Sequence, residues 1–153
     1  STYQSQKGTQ AQLITPFLQE YSQPEMADAV RKLAQLRKDF NHESREAWIE
    51  VETEADAKQA WELYKSGGYE DDGSDSARRK LHWYYLRAYD LHKKGFLKTK
   101  SMQIIVRPTG YGLLFDVVWP ITKMRHFAEI GENEELFEWY RDLRKNFPPR
   151  EYD

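Results

Sequence analysis

Histidines and acidic side chains are the residues in this sequence that could bind a metal or transfer protons. His82 and His92 lie ten residues apart and therefore point to different sides of any helix they share, whereas two metal ligands on one helix lie three or four residues apart. The glycine-rich loop at 66–76 also holds four acidic residues, but these lack the ligand spacing of an EF-hand: Glu70, Asp71, Asp72 and Asp75. We therefore predict that no metal binds here and that His92 is a partly buried residue on an apolar helix face.

The sequence contains none of the common catalytic or cofactor-binding motifs. It lacks the glycine-rich nucleotide-binding patterns, the GxSxG nucleophile turn and the HExxH zinc motif. It has no cysteine, which excludes thiol catalysis, cysteine-bound zinc, iron–sulfur clusters and disulfides, and fits a reducing compartment. We predict no catalytic residue and no cofactor.

Charge is divided unevenly between two neighbouring segments. Residues 43–76 hold 11 acidic and 3 basic side chains, whereas residues 77–100 hold 8 basic side chains and 1 acidic one. Helices from the two segments could lie side by side and neutralise each other, or the basic aromatic segment 78–100 could bind nucleic acid or another anionic ligand. We favour neutralisation, because the two segments adjoin through the glycine-rich loop.

A helix through the basic segment would present one candidate binding surface, formed by Arg79, Trp83, Arg87 and Lys94. At about 100° per residue, these side chains fall on the arc opposite the apolar residues of the same helix. Arg79 and Arg87 each lie four residues from Trp83, within reach of cation–π contacts with its indole. An exposed Trp83 beside uncovered arginines would favour an anionic ligand. We expect instead that a second helix covers Trp83, because burial is the commoner fate of a tryptophan.

The elements that carry these residues are predicted to be helices of a single all-α domain. Apolar side chains recur every three or four residues, capping residues precede several of these patterns, and 22 aromatic residues are present to build a core. We predict a bundle of about six helices with a long central helix near 75–94. The main predicted features are an N-terminal helix interrupted at Pro16, a helix over 24–40 capped by Ser22, a helix that starts at Thr53, the central helix closed by Gly95, and a final helix capped by Asn133.

The stretch 96–131 has a second interpretation as β-structure. QIIV at 103–106 and LLFDVVW at 113–119 could be the strands of a hairpin at 102–119, joined by a glycine-containing loop. The helical spacing of Leu114, Val118 and Ile121 competes with this interpretation, although Pro120 would then kink the helix. We favour a short helix near 101–106 and a bent helix over 110–128, with an α+β fold as the alternative.

The predicted domain boundaries lie close to the two ends of the chain. Residues 1–10 are polar and are predicted to be disordered or a linker, residues 11–147 to form the single helical domain, and residues 148–153 to form a tail that starts with two prolines. No apolar run approaches the roughly 18 residues that a membrane-spanning helix needs.

The order of these features resembles a bacterial family of small helical domains of unknown function. The resemblance extends over about residues 12–145 and rests on LQEYSQPEMADAVRKLAQLRKDF, the acidic region, SARRKLHWYYLRAYDLHKKGFL, VVWPITKMR and FEWYRDL. Members of that family often carry a membrane helix before the region that matches Leu13 to Ser22. The resemblance therefore implies a membrane tether that precedes this chain, and it supplies no catalytic residues.

These observations predict a helical protein-interaction module on the cytoplasmic side, with no catalysis. Its expected partner is another protein or a second copy of the chain, and membrane contact is expected only through a segment that precedes Ser1. The alternative function is binding of nucleic acid or an anionic ligand through segment 78–100.

Overall fold

The fold is all-α in a computed structural model that describes residues 2–39, 54–70, 72–131 and 133–150. The all-α prediction is confirmed, and the alternative hairpin at 102–119 is wrong, because that stretch is helical on both sides of a short turn. None of the helices in these ranges is both long and apolar enough to cross a membrane. The predicted helix start at Thr53 lies outside the described residues. These ranges contain no strand and seven helices, which are α1 (Thr2–Tyr21), α2 (Pro24–Asp39), α3 (Glu54–Ser66), α4 (Ser74–Lys93), α5 (Thr99–Ile105), α6 (residues 111–130) and α7 (Glu134–Asn146).

The long helix predicted near 75–94 is α4, and it forms the centre of the bundle. Its side chains Tyr84 and Tyr85 are fully buried, and α2 packs along it. The helix ends where Gly95 adopts a φ of +85°, a conformation that glycine reaches without a Cβ clash. This turn lets the backbone N–H of Phe96 donate to the carbonyl of Leu91 at 2.9 Å, so Gly95 closes the helix as the sequence predicts.

Helix α6 alternates between α-helical and π-helical turns. Its segments are Tyr111–Leu113, Leu114–Val118, Trp119–Arg125 and His126–Ile130, of which the second and fourth are π-helical. The N–H of Trp119 donates to the carbonyl of Leu114, five residues back instead of four. In a regular α-helix, the ring of a proline at position 120 would clash with the carbonyl four residues earlier, and the extra residue of the π turn relieves that clash. Pro120 therefore widens α6 without ending it.

Helix α1 begins at Thr2 and continues through Pro16. The sequence instead predicts an irregular segment over 1–10 and a helix that is interrupted at the proline. A long-range contact explains the order at residue 10. The side chain of Gln10 forms three hydrogen bonds of 2.7–2.9 Å to groups near the start of α5, which are the carbonyl of Phe96, the N–H of Lys98 and the hydroxyl of Ser101. These bonds fix this part of α1 against a segment almost ninety residues away in the sequence.

Of the N-terminal helix caps predicted at Ser22 and Asn133, the structure contains the one at Asn133. The side chain of Asn133 accepts a hydrogen bond from the N–H of Leu136 at 3.1 Å and so caps α7, as predicted. Ser22 does not cap α2, because Pro24 is the first residue of that helix and the cap position falls one residue after Ser22. The Ser22 hydroxyl donates instead to the carbonyl of Gln19 at 2.8 Å, at the end of α1.

Helices α3 and α4, which come from the described parts of the acidic and basic segments, do not pack as the neutralising pair that the sequence predicts. In the described residues, α3 packs on the second half of α6, whereas α2 is the main neighbour of α4. Trp61 of α3 donates from Nε1 to a carboxylate oxygen of Glu129 at 2.5 Å, and Lys65 lies 3.6 Å from the same carboxylate. Among the basic side chains of α4, Arg78 and Arg79 pair with Asp75, an acidic-segment residue in the first turn of α4 itself.

Candidate functional site

The four side chains of the predicted surface lie along the solvent side of α4. Trp83 is 59% exposed, so the prediction that a second helix covers it is wrong. Helix α7 is the neighbour on this side, but its contacts are with adjacent arcs of α4, where Trp139 lies edge-on to Tyr89 at 5.6 Å between ring centres. Trp83 lies close to Trp139 at the edge of the interface between α4 and α7.

Each basic residue of the predicted surface is paired with a carboxylate. The pairs are Arg79 with Asp75 at 3.2 Å, Arg87 with Glu20 at 2.5 Å, and Lys94 with Asp90 at 2.8 Å. The cation–π contacts in the described part of the chain are made by Lys93 and Lys123, so the arginines do not add the predicted contacts with Trp83. The arginine side chains are themselves 56% and 53% exposed, so the surface has the exposed tryptophan and arginines that would favour an anionic ligand, but each arginine is already held in an ion pair.

Trp83 forms one wall of a groove of about 430 Å³ between α4 and α7. The apolar part of the lining consists of Trp83 and Leu86 from α4 and of Leu136 and Trp139 from α7. The remaining lining residues are His82, His126, Asn133 and Glu135. A large exposed indole beside an apolar depression is the arrangement by which protein surfaces bind side chains of a partner.

The α7 wall of the groove is absent from the sequence prediction, which identifies only residues of α4. Helical spacing in the sequence predicts an inner stripe for this last helix, formed by Leu136, Tyr140, Leu143 and Phe147, and Trp139 falls just outside it. Trp139 lies three residues after Leu136 and four before Leu143, so it borders the buried stripe. A tryptophan at such a boundary is the signal that could have identified this wall.

Two histidines at the bottom of the groove are neutral at pH 7. His82 is 8% exposed, and one of its ring nitrogens is hydrogen-bonded to the buried hydroxyl of Tyr140. Burial, with smaller effects from Arg78 and His126, lowers the pKa of His82 to about 4. Burial also lowers the pKa of His126, whose Nδ1 is buried without a hydrogen-bond partner. Glu135 is therefore the single charged side chain among the residues that line the groove.

A buried ion pair helps to fix the part of α4 that carries the groove residues. The side chain of Arg78 is 4% exposed and donates to Asp75 of the same helix at 2.7 Å. It also donates from Nη1 to the hydroxyl of Thr122 at 3.3 Å, which connects α4 to α6. Since Arg78 lies one helical turn before His82, this network fixes the part of α4 that carries the groove residues.

The groove offers a partner four apolar side chains, two neutral histidines, one asparagine amide and one carboxylate. In the ranges that the structure describes, no group of three or more histidine, aspartate or glutamate side chains could hold a metal ion. His92 is half-buried, as the sequence predicts, and is hydrogen-bonded to the carbonyl of Leu97 at 2.8 Å, away from the groove.

No family model, curated protein or solved structure matches the chain. The resemblance to a bacterial family of small helical domains therefore stays a prediction, and the function has to be argued from the geometry of the chain itself.

Proposed function

We propose that this chain is a protein-interaction module that binds an amphipathic helix of a partner protein in the groove between α4 and α7. The observation that carries the proposal is the 59% exposure of Trp83 at the edge of an apolar depression. Exposing an indole to water is unfavourable by comparison with burying it, and tryptophan is enriched among the residues that dominate binding energy at interfaces.

The shape and charge of the groove indicate the chemistry of the partner segment. Two helices form its walls, and a groove of this kind accepts a third helix whose apolar residues recur every three or four positions. Since Glu135 carries the single charge of the lining, we infer that the partner helix places a lysine or arginine opposite it. The paired cations of α4 contribute little net charge to the rim.

Binding of nucleic acid or an anionic ligand through segment 78–100 remains the second candidate. Such a ligand would have to compete with the carboxylates that already hold Arg79, Arg87 and Lys94. The arginines one helical turn to either side of Trp83 are both ion-paired, so we favour the helical partner. The cytoplasmic location and the membrane tether rest on the sequence alone and stay predictions.

Selection from a library of helical peptides would test the proposed function. The purified chain would be used as bait, and the Leu136→Asp variant would serve for counter-selection because it places a charge in the apolar lining of the groove. We expect the enriched peptides to share apolar residues at positions i, i+3 or i+4, and i+7, together with a basic residue on one flank.

Three outcomes would contradict the proposal. Enriched peptides without a helical apolar pattern would show that the groove does not select a helix. Dimerisation that is lost in Trp83→Ala would assign the groove to a second copy of the chain. Tight binding of a single-stranded oligonucleotide that is lost in Arg79→Gln and Arg87→Gln would favour the nucleic-acid candidate.

A further inference from the structure

We propose that a second cleft, lined by residues of α2, the start of α6 and the C-terminal end of α7, binds a small molecule that carries a phosphate group. The cleft has a volume of about 920 Å³, within the range of pockets that bind small molecules. It lies between α2, the start of α6 and the segment that follows α7. Its polar and charged lining consists of Arg37, Thr109, Asp116, Arg144 and Arg150, together with the backbone of Gly110 and Gly112.

The charges that line this cleft are not balanced. Arg37 is held by Asp116 at 3.3 Å, whereas Arg144 and Arg150 form no ion pair with any carboxylate in the described part of the chain. Three arginines and one aspartate leave the lining with a formal charge of +2, in contrast to the paired cations of α4. A phosphate monoester carries a charge of about −1.5 to −2 at pH 7, and the planar guanidinium group binds it with two parallel hydrogen bonds.

The segment that carries Arg150 is fixed in place. The hydroxyl of Tyr111 donates to the carbonyl of Phe147 at 2.6 Å, and both side chains are buried. Pro148 and Pro149 follow, and their rings restrict the backbone that leads to Arg150. The position of Arg150 beside the start of α6 is therefore set by the fold.

The backbone just before α6 packs closely against α1 and α2 at Gly110. A Cβ atom at Gly110 would lie 2.3 Å from the Tyr21 hydroxyl oxygen and 3.2 Å from a methyl group of Val30, so glycine is required for this close packing. The rest of the lining is apolar and would contact the body of the ligand: Val30, Ala34, Leu113, Phe115, Pro148 and Pro149. Arginines on one part of the lining and apolar side chains on the rest fit a ligand in which a phosphate group is joined to a flat or apolar body.

Titration of the full chain with inorganic pyrophosphate and with ADP, at constant ionic strength, would test this inference. We expect a saturable rise in melting temperature with both ligands, and tighter binding of ADP because its base can cover the apolar lining. Arg144→Gln and Arg150→Gln should each raise the apparent Kd by about tenfold. Arg141→Gln is the matched control, because Arg141 is on the same helix but is paired with Glu134, and it should change the Kd by less than about twofold.

Failure of this inference would be distinguishable from failure of the proposed function. Absence of a saturable rise with either ligand would overturn it, as would equal weakening by Arg141→Gln and Arg144→Gln. Citrate that binds as tightly as pyrophosphate would overturn the choice of phosphate. Trp83→Ala, in the groove, should leave the binding of both probes unchanged.

Discussion

Replacing Asp75 by asparagine should destabilise the fold by about 3 kcal/mol, because it leaves the guanidinium of Arg78 buried without a negative partner. The side chains of the pair are 4% and 13% exposed, and the nitrogen and oxygen lie 2.7 Å apart. Removing one partner of such a pair costs about 3–5 kcal/mol, and the lower value applies because the asparagine oxygen still accepts a hydrogen bond. For a chain of about 150 residues this corresponds to a fall in melting temperature of about 6–12 °C.

Urea denaturation followed by circular dichroism would measure this loss, with two controls on the same helix. Asp90→Asn breaks the exposed pair with Lys94, and Arg79→Gln breaks the exposed second pair of Asp75. Each control should cost less than about 1 kcal/mol. Losses for Asp75→Asn no larger than those of the controls would refute the assignment of Arg78 as a buried charge that depends on this carboxylate.

Three further predictions follow from burial and packing. Trp83→Ala should change the free energy of unfolding by less than about 1 kcal/mol. Trp119 is 9% exposed, and Trp119→Ala should cost about 3–5 kcal/mol in the same urea assay. Equal losses for the two variants would contradict the exposed position of Trp83. Burial lowers the pKa of His82 from 6.5 to about 4, so below pH 6.5 the unfolded chain binds a proton that the folded chain excludes. The contribution of His82 to the free energy of unfolding is therefore complete above pH 6.5 and declines by up to about 3 kcal/mol as the pH falls to 4. The His82→Gln variant should lack this part of the decline, and identical pH profiles for the two proteins would refute it. Gly110→Ala should cost about 1–3 kcal/mol of folding stability, since its methyl group would overlap a tyrosine hydroxyl. The methyl group of Gly112→Ala would meet no atom within 4 Å, so this variant should be close to neutral. An equal effect at the two positions would contradict the close packing at Gly110.

The features that the sequence predicts well are those set by local spacing. The apolar arc of α4, with Leu81, Tyr84 and Tyr85 at its centre, follows from residues that recur every three or four positions, and the structure buries all three. The caps at Gly95 and Asn133 depend on a few neighbouring residues and are likewise present. The all-α class follows from the sum of such patterns.

The features that the sequence does not predict depend on distant contacts. The order of α1 at Gln10 depends on hydrogen bonds to residues almost ninety positions away. The exposure of Trp83 depends on which arc of α4 is covered by α7. Helical periodicity predicts which residues share a face of a helix, but not which other helix packs against that face. Arg37, Arg144 and Arg150 line one cleft only because α2 and the C-terminal segment meet at the start of α6. No local pattern in the sequence connects these three arginines.

The affinity of a selected helical peptide for two variants would test the central claim most directly. Trp83 and Phe96 are both 59% exposed, but only Trp83 lines the groove, so Trp83→Ala and Phe96→Ala remove equally accessible aromatic side chains from different surfaces. Fluorescence anisotropy of the labelled peptide should give a Kd at least about tenfold higher for Trp83→Ala and a change of less than about twofold for Phe96→Ala. Equal affinities of the two variants would contradict the assignment of the groove between α4 and α7 as the interaction surface.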